Sequence, residues 1–210
     1  MNDYFQPAKQ ARSHATQVRI LQATANLLRR ESFDAITIRR IVQEAESSIG
    51  SFYARFRDKE ALLPALYADY ENELDERVQM LENAVVEGET LDHVANLIAQ
   101  HFVETYGSNP NLSRALFEYS TRPSETDESK RHSAKRLQQY SFLVDALCRF
   151  KDEVTHPNPR RAAELGLYFL TVSCRNRLFY PQYPQTRTLK IKKSELRLEL
   201  ARLLTGYLRA

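Results

Sequence analysis

The stretch "AESSIGSFYARFRDKEALL", residues 45–63, decides the fold. Glu46, Ser47 and Ser48 lead to Gly50, then to Phe52 and Tyr53 side by side, then to Arg55, Arg57 and Lys59. Two aromatics and three cations around a turn do not suit a core helix, which would carry a longer apolar stripe. They suit a surface that meets a polyanion. Small polar residues at a helix N-terminus fit the major groove of DNA, and flanking hydroxyls and cations hold phosphates.

Upstream lies "DAITIRRIVQEA", residues 34–45. Thr37 is a good N-cap, and Ile38, Ile41, Val42 and Ala45 repeat at i, i+3, i+4 and i+7, which predicts a helix of about two turns. Before it, Val18, Leu21, Ala25 and Leu28, with Ile20, Thr24 and Leu27 beside them, predict a helix from Thr16 to near Arg29 and Arg30, where the cations suit its negative end. Residues 1–14 read as a polar arm. After a break at Glu46, Ser47 and Ser48, a third short helix is expected at about 48–55, with Phe56 plugging the small core. Three short helices, the last two joined by a tight turn, make a helix-turn-helix.

Downstream, Asp58 is placed to cap a long helix whose buried stripe is Leu63, Tyr67, Tyr70, Leu74, Val78 and Leu81. Pro64 falls in what reads as its second turn and predicts a kink. Further helices are expected at 89–106, just after Pro110, and at 128–154, 159–180 and 193–209. Polar, Pro-bearing connections lie around Pro123 and between Tyr180 and Lys192. No strand pattern appears. The reading is all-α: a helix-turn-helix domain with its arm over 1–58 and a larger helical domain over 59–210.

The composition agrees. Hydrophobic residues make up 42% of the 210 and charged residues 27%, an ordinary globular balance. The first 60 residues hold ten Lys/Arg against seven Asp/Glu, and the remaining 150 hold twenty of each. The whole excess of +3 therefore sits at the N-terminal end, which points to a polyanion partner there. No stretch approaches the roughly 20 apolar residues of a membrane span, and the N-terminus has no signal-peptide pattern. Two cysteines in no pattern fit a reducing, cytoplasmic setting. The five histidines are scattered, and Glu153 with His156 supplies one Glu-x-x-His where a di-iron bundle needs two. Without a metal-ligand cysteine spacing, a phosphate loop or a nucleophile elbow, the sequence predicts no enzyme, no cofactor and no metal.

The run from Thr16 to Leu63 resembles the DNA-binding domain of the tetracycline-repressor (TetR) family. Thr37, Ile41, Ala45, Ser48, Gly50, Tyr53, Phe56 and Lys59, with Glu60, Ala61, Leu62 and Leu63 after them, match the family signature in register. Three positions depart from it. Glu46 replaces the turn glycine, Ser47 replaces a buried valine, and Arg55 replaces a histidine. If position 46 is left-handed, Glu costs about 1 kcal/mol relative to Gly there. A pairing with Arg39 or Arg40 would offset its charge near DNA.

The resemblance implies that Thr37, Tyr53 and Lys59 contact phosphate, that Arg39 reaches a base or phosphate, that Arg55 adds phosphate affinity, and that Ser48, Ile49, Ser51 and Phe52 face the groove. Lys9 and Arg12 would trail into the minor groove. It also implies a homodimer built on the last two long helices, with Leu196, Leu200, Leu203 and Tyr207 as interface candidates. Last, it implies a small-molecule effector pocket among Tyr67, Tyr70, Phe102, Tyr106, Phe117, Tyr140 and Phe169. The expected function is a transcriptional regulator released from a palindromic operator by its effector. The rival is a helical interaction module that has lost DNA binding.

Overall fold

The computed structural model of the chain describes residues 6–122 and 127–210, with side chains described for 13–122 and 130–210. Among the described residues ten α-helices follow one another: α1 (Gln6–Leu28), α2 (Ile38–Glu44), α3 (Ile49–Tyr53), α4 (Leu62–Glu87), α5 (Leu91–Gly107), α6 (Pro110–Ser120), α7 (Asp127–Cys148), α8 (Pro159–Phe179), α9 (Pro184–Thr188) and α10 (Lys193–Leu208). A 3-10 turn, Phe33–Ala35, stands between α1 and α2. Among the described residues no strand occurs. No described helix is long and apolar enough to cross a membrane.

The chain divides into two compact units. The first runs to Glu71 and takes in residues 111–121; the second comprises residues 72–110 and 122–210. The start of α4 and nearly all of α6 thus join the helix-turn-helix. α1 begins at Gln6, about ten residues earlier than its apolar pattern, so the backbone through Lys9 and Arg12 is helical rather than an arm. The side chains of those two residues lie outside the described residues.

The first unit is held by one apolar cluster. Ile20, Leu28, Ile36, Ile41, Phe52, Leu62 and Leu116 are almost fully enclosed, and Phe56 and Leu63 close it. Val18, read as part of the inward stripe of α1, is exposed instead. Thr37 caps α2, its hydroxyl accepting from the Arg40 amide at 3.4 Å. Asp58 accepts from the Ala61 amide at 2.9 Å and so fixes the turn before α4. Because α4 starts at Leu62, Pro64 lies in its first turn rather than its second. There the missing amide is one of those a helix leaves unpaired, and no kink is required. The Asn111 side chain donates to the Leu28 carbonyl at 3.0 Å, satisfying the C-terminal end of α1 from α6.

In the second unit α5, α8 and α10 pack together, with α7 against α8. Leu91, Val94, Ile98, Leu147, Leu167, Leu204 and Leu208 are buried. Gly166 permits the close approach of α8 and α10: a Cβ there would stand 2.6 Å from Leu204 Cδ1. Arg209 closes one end of the unit with a two-pronged bond to Asp92 at 3.0 Å per prong and another to Glu153 at 2.5 Å. Glu153 also accepts from the Leu91 amide at 3.0 Å, capping α5. The Glu-x-x-His of the sequence is therefore a cap and a turn, with His156 Nδ1 accepting from the Asn158 amide at 3.0 Å. Burial pushes the thiols of Cys148 and Cys174 up, the latter to about 12.

Candidate DNA-binding site

The site is built on a single helical turn. Ser48 is extended at φ −111° and caps α3, accepting from the Ser51 amide at 3.1 Å while its hydroxyl meets that of Ser51 at 3.0 Å. Over α3 the side chains then diverge. Phe52 points inward with no exposed surface, Ile49 is 49% exposed and Tyr53 55%. Phe52 lies edge-on to Tyr53, 5.5 Å between ring centroids, and 5.4 Å from Phe56. The expectation that Phe52 faces the groove is corrected: it anchors α3 in the core. Ser48, Ile49, Gly50 and Tyr53 form the outward surface, with Ser51 half-buried beside them.

The turn at Glu46 is left-handed, so the condition under which Glu costs more than Gly is met. Glu46 has φ 47°, the one positive φ at a non-glycine residue among those described. It finds no partner in Arg40, whose guanidinium clasps the Glu31 carboxylate with two bonds, one of 2.6 Å. That clasp holds the Glu31 carboxyl below its usual range. Arg39 is exposed and has no ion-pair partner among the described residues.

Two cations expected on phosphates have other work. Arg55 Nε donates to the Ser13 carbonyl at 3.0 Å and Nη1 to the Ser51 carbonyl at 2.7 Å, tying α3 to α1. Lys59 Nζ donates to the carbonyls of Phe33 at 2.9 Å and Ile36 at 3.1 Å, lies 3.4 Å from that of Asp34, and sits 4.7 Å from the Phe33 ring centroid. The Lys59 ammonium, with three protons and three carbonyls, caps the 3-10 turn, so its phosphate assignment is corrected. Local spacing could not show this, because the acceptors lie 23 to 26 residues away. What remains outward is a hydroxyl surface of Thr37, Ser48 and Tyr53, flanked by Arg39.

The effector-pocket candidates are divided between the two units. Tyr67 is buried in the apolar cluster of the first unit with its ring 5.7 Å from Tyr119, and Tyr70 packs against that cluster. Phe117, half-buried on α6, also belongs to the first unit. Phe102 and Tyr106 are ring neighbours in the second, the latter meeting Phe179 at 5.4 Å. Phe169 is 55% exposed. Only Tyr140 lines a described groove, of about 390 Å³, between α7 and α8. Leu137, Val144, Leu165 and Tyr168 form its apolar wall, and Arg160, Arg161 and Glu164 stand at its rim. Tyr140 donates to the Glu164 carbonyl at 2.5 Å, and burial pushes its phenol up. Of the dimer candidates, Leu196 and Leu200 are buried within the chain, Tyr207 is half-buried, and Leu203 is 67% exposed. The first two therefore hold α10 to its own unit and leave the proposed interface. Among the described residues no group of three or more His, Cys, Asp or Glu could hold a metal ion.

Residues 20–66 match the family described as bacterial regulatory proteins, tetR family. No curated protein sequence matches the chain. The fold is that of solved TetR-family structures at low sequence identity. A TetR-family transcriptional regulator from Bordetella parapertussis 12822 is similar at TM-score 0.62 and 18% identity, over 90% of this chain and 93% of that one. The transcriptional regulator FadR from Bacillus subtilis, solved with stearoyl-CoA, gives 0.57 and 14%, over 90% and 97%. A TetR variant from Acinetobacter baumannii AYE, solved with minocycline, gives 0.53 and 19%, over 91% and 96%.

Proposed function

We propose, from the match of residues 20–66 to the tetR family and from the likeness of fold, that the chain is a TetR-family, sequence-specific, DNA-binding transcriptional regulator. In this reading it binds a palindromic operator as a homodimer and leaves it when a small effector binds. One observation carries the reading: α3 is anchored from within by Phe52 and from the side by Arg55, and it turns Ser48, Ile49, Gly50 and Tyr53 outward together. A rigid turn with small and hydroxyl-bearing residues outward fits the major groove, where Ser48, Ile49 and Ser51 meet base edges. Tyr53 and Thr37 then bond phosphates, and Arg39 supplies the nearby positive charge.

Dimerisation puts two such turns one helical repeat apart. Phe169 on α8 and Leu203 on α10 are large, exposed and apolar, and they lie beside the Gly166–Leu204 contact in sequence. They are the proposed centre of the interface. The effector is assigned to the second unit, with the α7–α8 groove and its Tyr140 as the proposed seat. It acts only by preferring one of two dimer geometries, since equal affinity for both would shift nothing.

Selection of bound sequences from random duplex DNA, using the purified protein, tests the function. A palindromic motif is the expected result. Tyr53→Phe should then weaken binding to that motif by about tenfold or more, the scale of a hydrogen bond to a charged group, with no change in melting temperature. Recovery of no motif, together with no salt-dependent affinity for bulk DNA, would replace this reading with that of a helical interaction module.

A further inference from the structure

The groove between α7 and α8 lies wholly within the second unit. Its charged groups stand at the rim and are already matched. Arg160 Nη1 donates to the Asp145 carboxylate at 2.7 Å, and Arg160 Nε stands 3.6 Å from one oxygen of Glu164. Arg161 reaches the other oxygen of Glu164, also at 3.6 Å. Two guanidiniums thus face two carboxylates, and the rim is neutral as a whole. Among the described residues no further ionisable acid or cation lines the groove. A charged ligand would gain from one sign what it lost to the other, and would shed its water to do so.

Inside the rim the wall is apolar. Leu137, Val144 and Leu165 supply aliphatic surface, and Tyr140 and Tyr168 supply two rings. Leu137 and Tyr168 are exposed, so part of this surface stands in water until something covers it. Two polar atoms are available to a guest. The Tyr140 phenol donates its proton to the Glu164 carbonyl at 2.5 Å and keeps a lone pair that can accept. The Ser141 hydroxyl lines the groove half-buried and has no hydrogen-bond partner among the described residues.

We infer that the groove takes an uncharged, ring-bearing apolar molecule, packed on the tyrosine rings and oriented by one polar atom at the Ser141 hydroxyl. The inference rests on the reading above that seats the effector here, and it names the chemical class of that effector. Rings suit the site because they stack on Tyr140 and Tyr168 and cover aliphatic wall at little cost in conformational freedom. A groove of about 390 Å³ lies within the range that small molecules occupy. One hydrogen bond among apolar contacts fixes the orientation, and a guest unable to make it leaves Ser141 unpaired.

The test uses the full chain and two fluorescent probes that differ by a single sulfonate: N-phenyl-1-naphthylamine, which is uncharged, and its 8-sulfonate. The neutral probe should bind saturably and about tenfold tighter than the sulfonate, whose charge must leave water for a rim with no free partner. Leu137→Glu places a charge on the apolar wall at an exposed position. It should weaken the neutral probe by about tenfold or more and leave the melting temperature unchanged. Ser141→Trp fills the groove and should remove the same site, which checks the assignment by volume instead of charge. Tighter binding of the sulfonate, lost in Leu137→Glu, would keep the groove as the seat and overturn the class inferred here. Probe binding that neither variant alters, or no saturable binding by wild type, would overturn the seat together with the class. A wild-type dimer that Leu137→Glu splits, with no probe site in wild type, would give the groove to a second copy of the chain, which also overturns the inference. Each of these outcomes leaves the DNA-binding reading standing, because selection on duplex DNA tests that separately.

Discussion

At the scale of single residues, the site follows from where each side chain can go on one turn of helix. Phe52 and Tyr53 are neighbours in sequence, yet one is fully enclosed and the other mostly outside. Five residues are too few for a 3.6-residue period to reveal its phase, so the sequence alone does not tell which aromatic is the anchor. Glu46 is the opposite case. The resemblance puts a glycine at that position and so raises a left-handed turn only as a condition, which φ 47° meets. Glu46→Gly should stabilise the protein by about 1 kcal/mol, because glycine enters that region without a Cβ clash. Urea unfolding at neutral pH checks this; an unchanged or lower midpoint would mean that the Glu46 side chain holds something that offsets the strain. Lys59 shows the limit of reading by position. Its partners are carbonyls far away in sequence, and nothing in the spelling of residues 59–63 announces them.

Among the elements, those with a cap and a sustained apolar period were legible. α2 has Thr37 as its cap and Ile41 and Val42 inside, as expected, and the long helices fall within a few residues of their patterns, except that α7 stops at Cys148, six residues short of the expected end at 154. The 3-10 turn at Phe33–Ala35 and the helix at Pro184–Thr188 were not, since three and five residues carry no periodicity. α1 began too late in the sequence reading because its first turns are polar and have no inward stripe to mark them. α5 supplies a prediction of its own. The imidazole of His101 is held down to about 4 by burial first and by the nearby Arg77 second, with Glu104 opposing. Its folded value lies below the ordinary 6.5, so the unfolded chain binds the proton more readily. Its neutral state is therefore fully compatible with the fold above pH 6.5, and stability is lost as pH falls from 6.5 towards 4. His101→Gln should flatten that part of the stability–pH curve in denaturant titrations, and an unaltered curve would assign the acid sensitivity to other groups.

For the whole molecule, the question is what the second unit turns outward. Leu196 and Leu200 read as an interface from spacing alone, but the same spacing serves an internal core, and burial within one chain decides between the two. Phe169 and Leu203 are among the large apolar side chains that burial leaves outside, with Tyr168 and Leu198 on the same two helices. Changing both to acids, Phe169→Asp with Leu203→Glu, should yield a folded monomer by sedimentation and abolish cooperative binding to a palindrome; a dimer that persists would move the interface elsewhere. The single inward side chain of α3 has a wider consequence. Because Phe52 and Arg55 secure that turn and Ser48 caps it, the exposed Ile49 can be rewritten without disturbing what holds the turn in place. Under the proposed DNA-binding role, duplicates of such a gene can shift their sequence preference at position 49 while remaining foldable, and a laboratory library restricted to that codon would sample the same freedom.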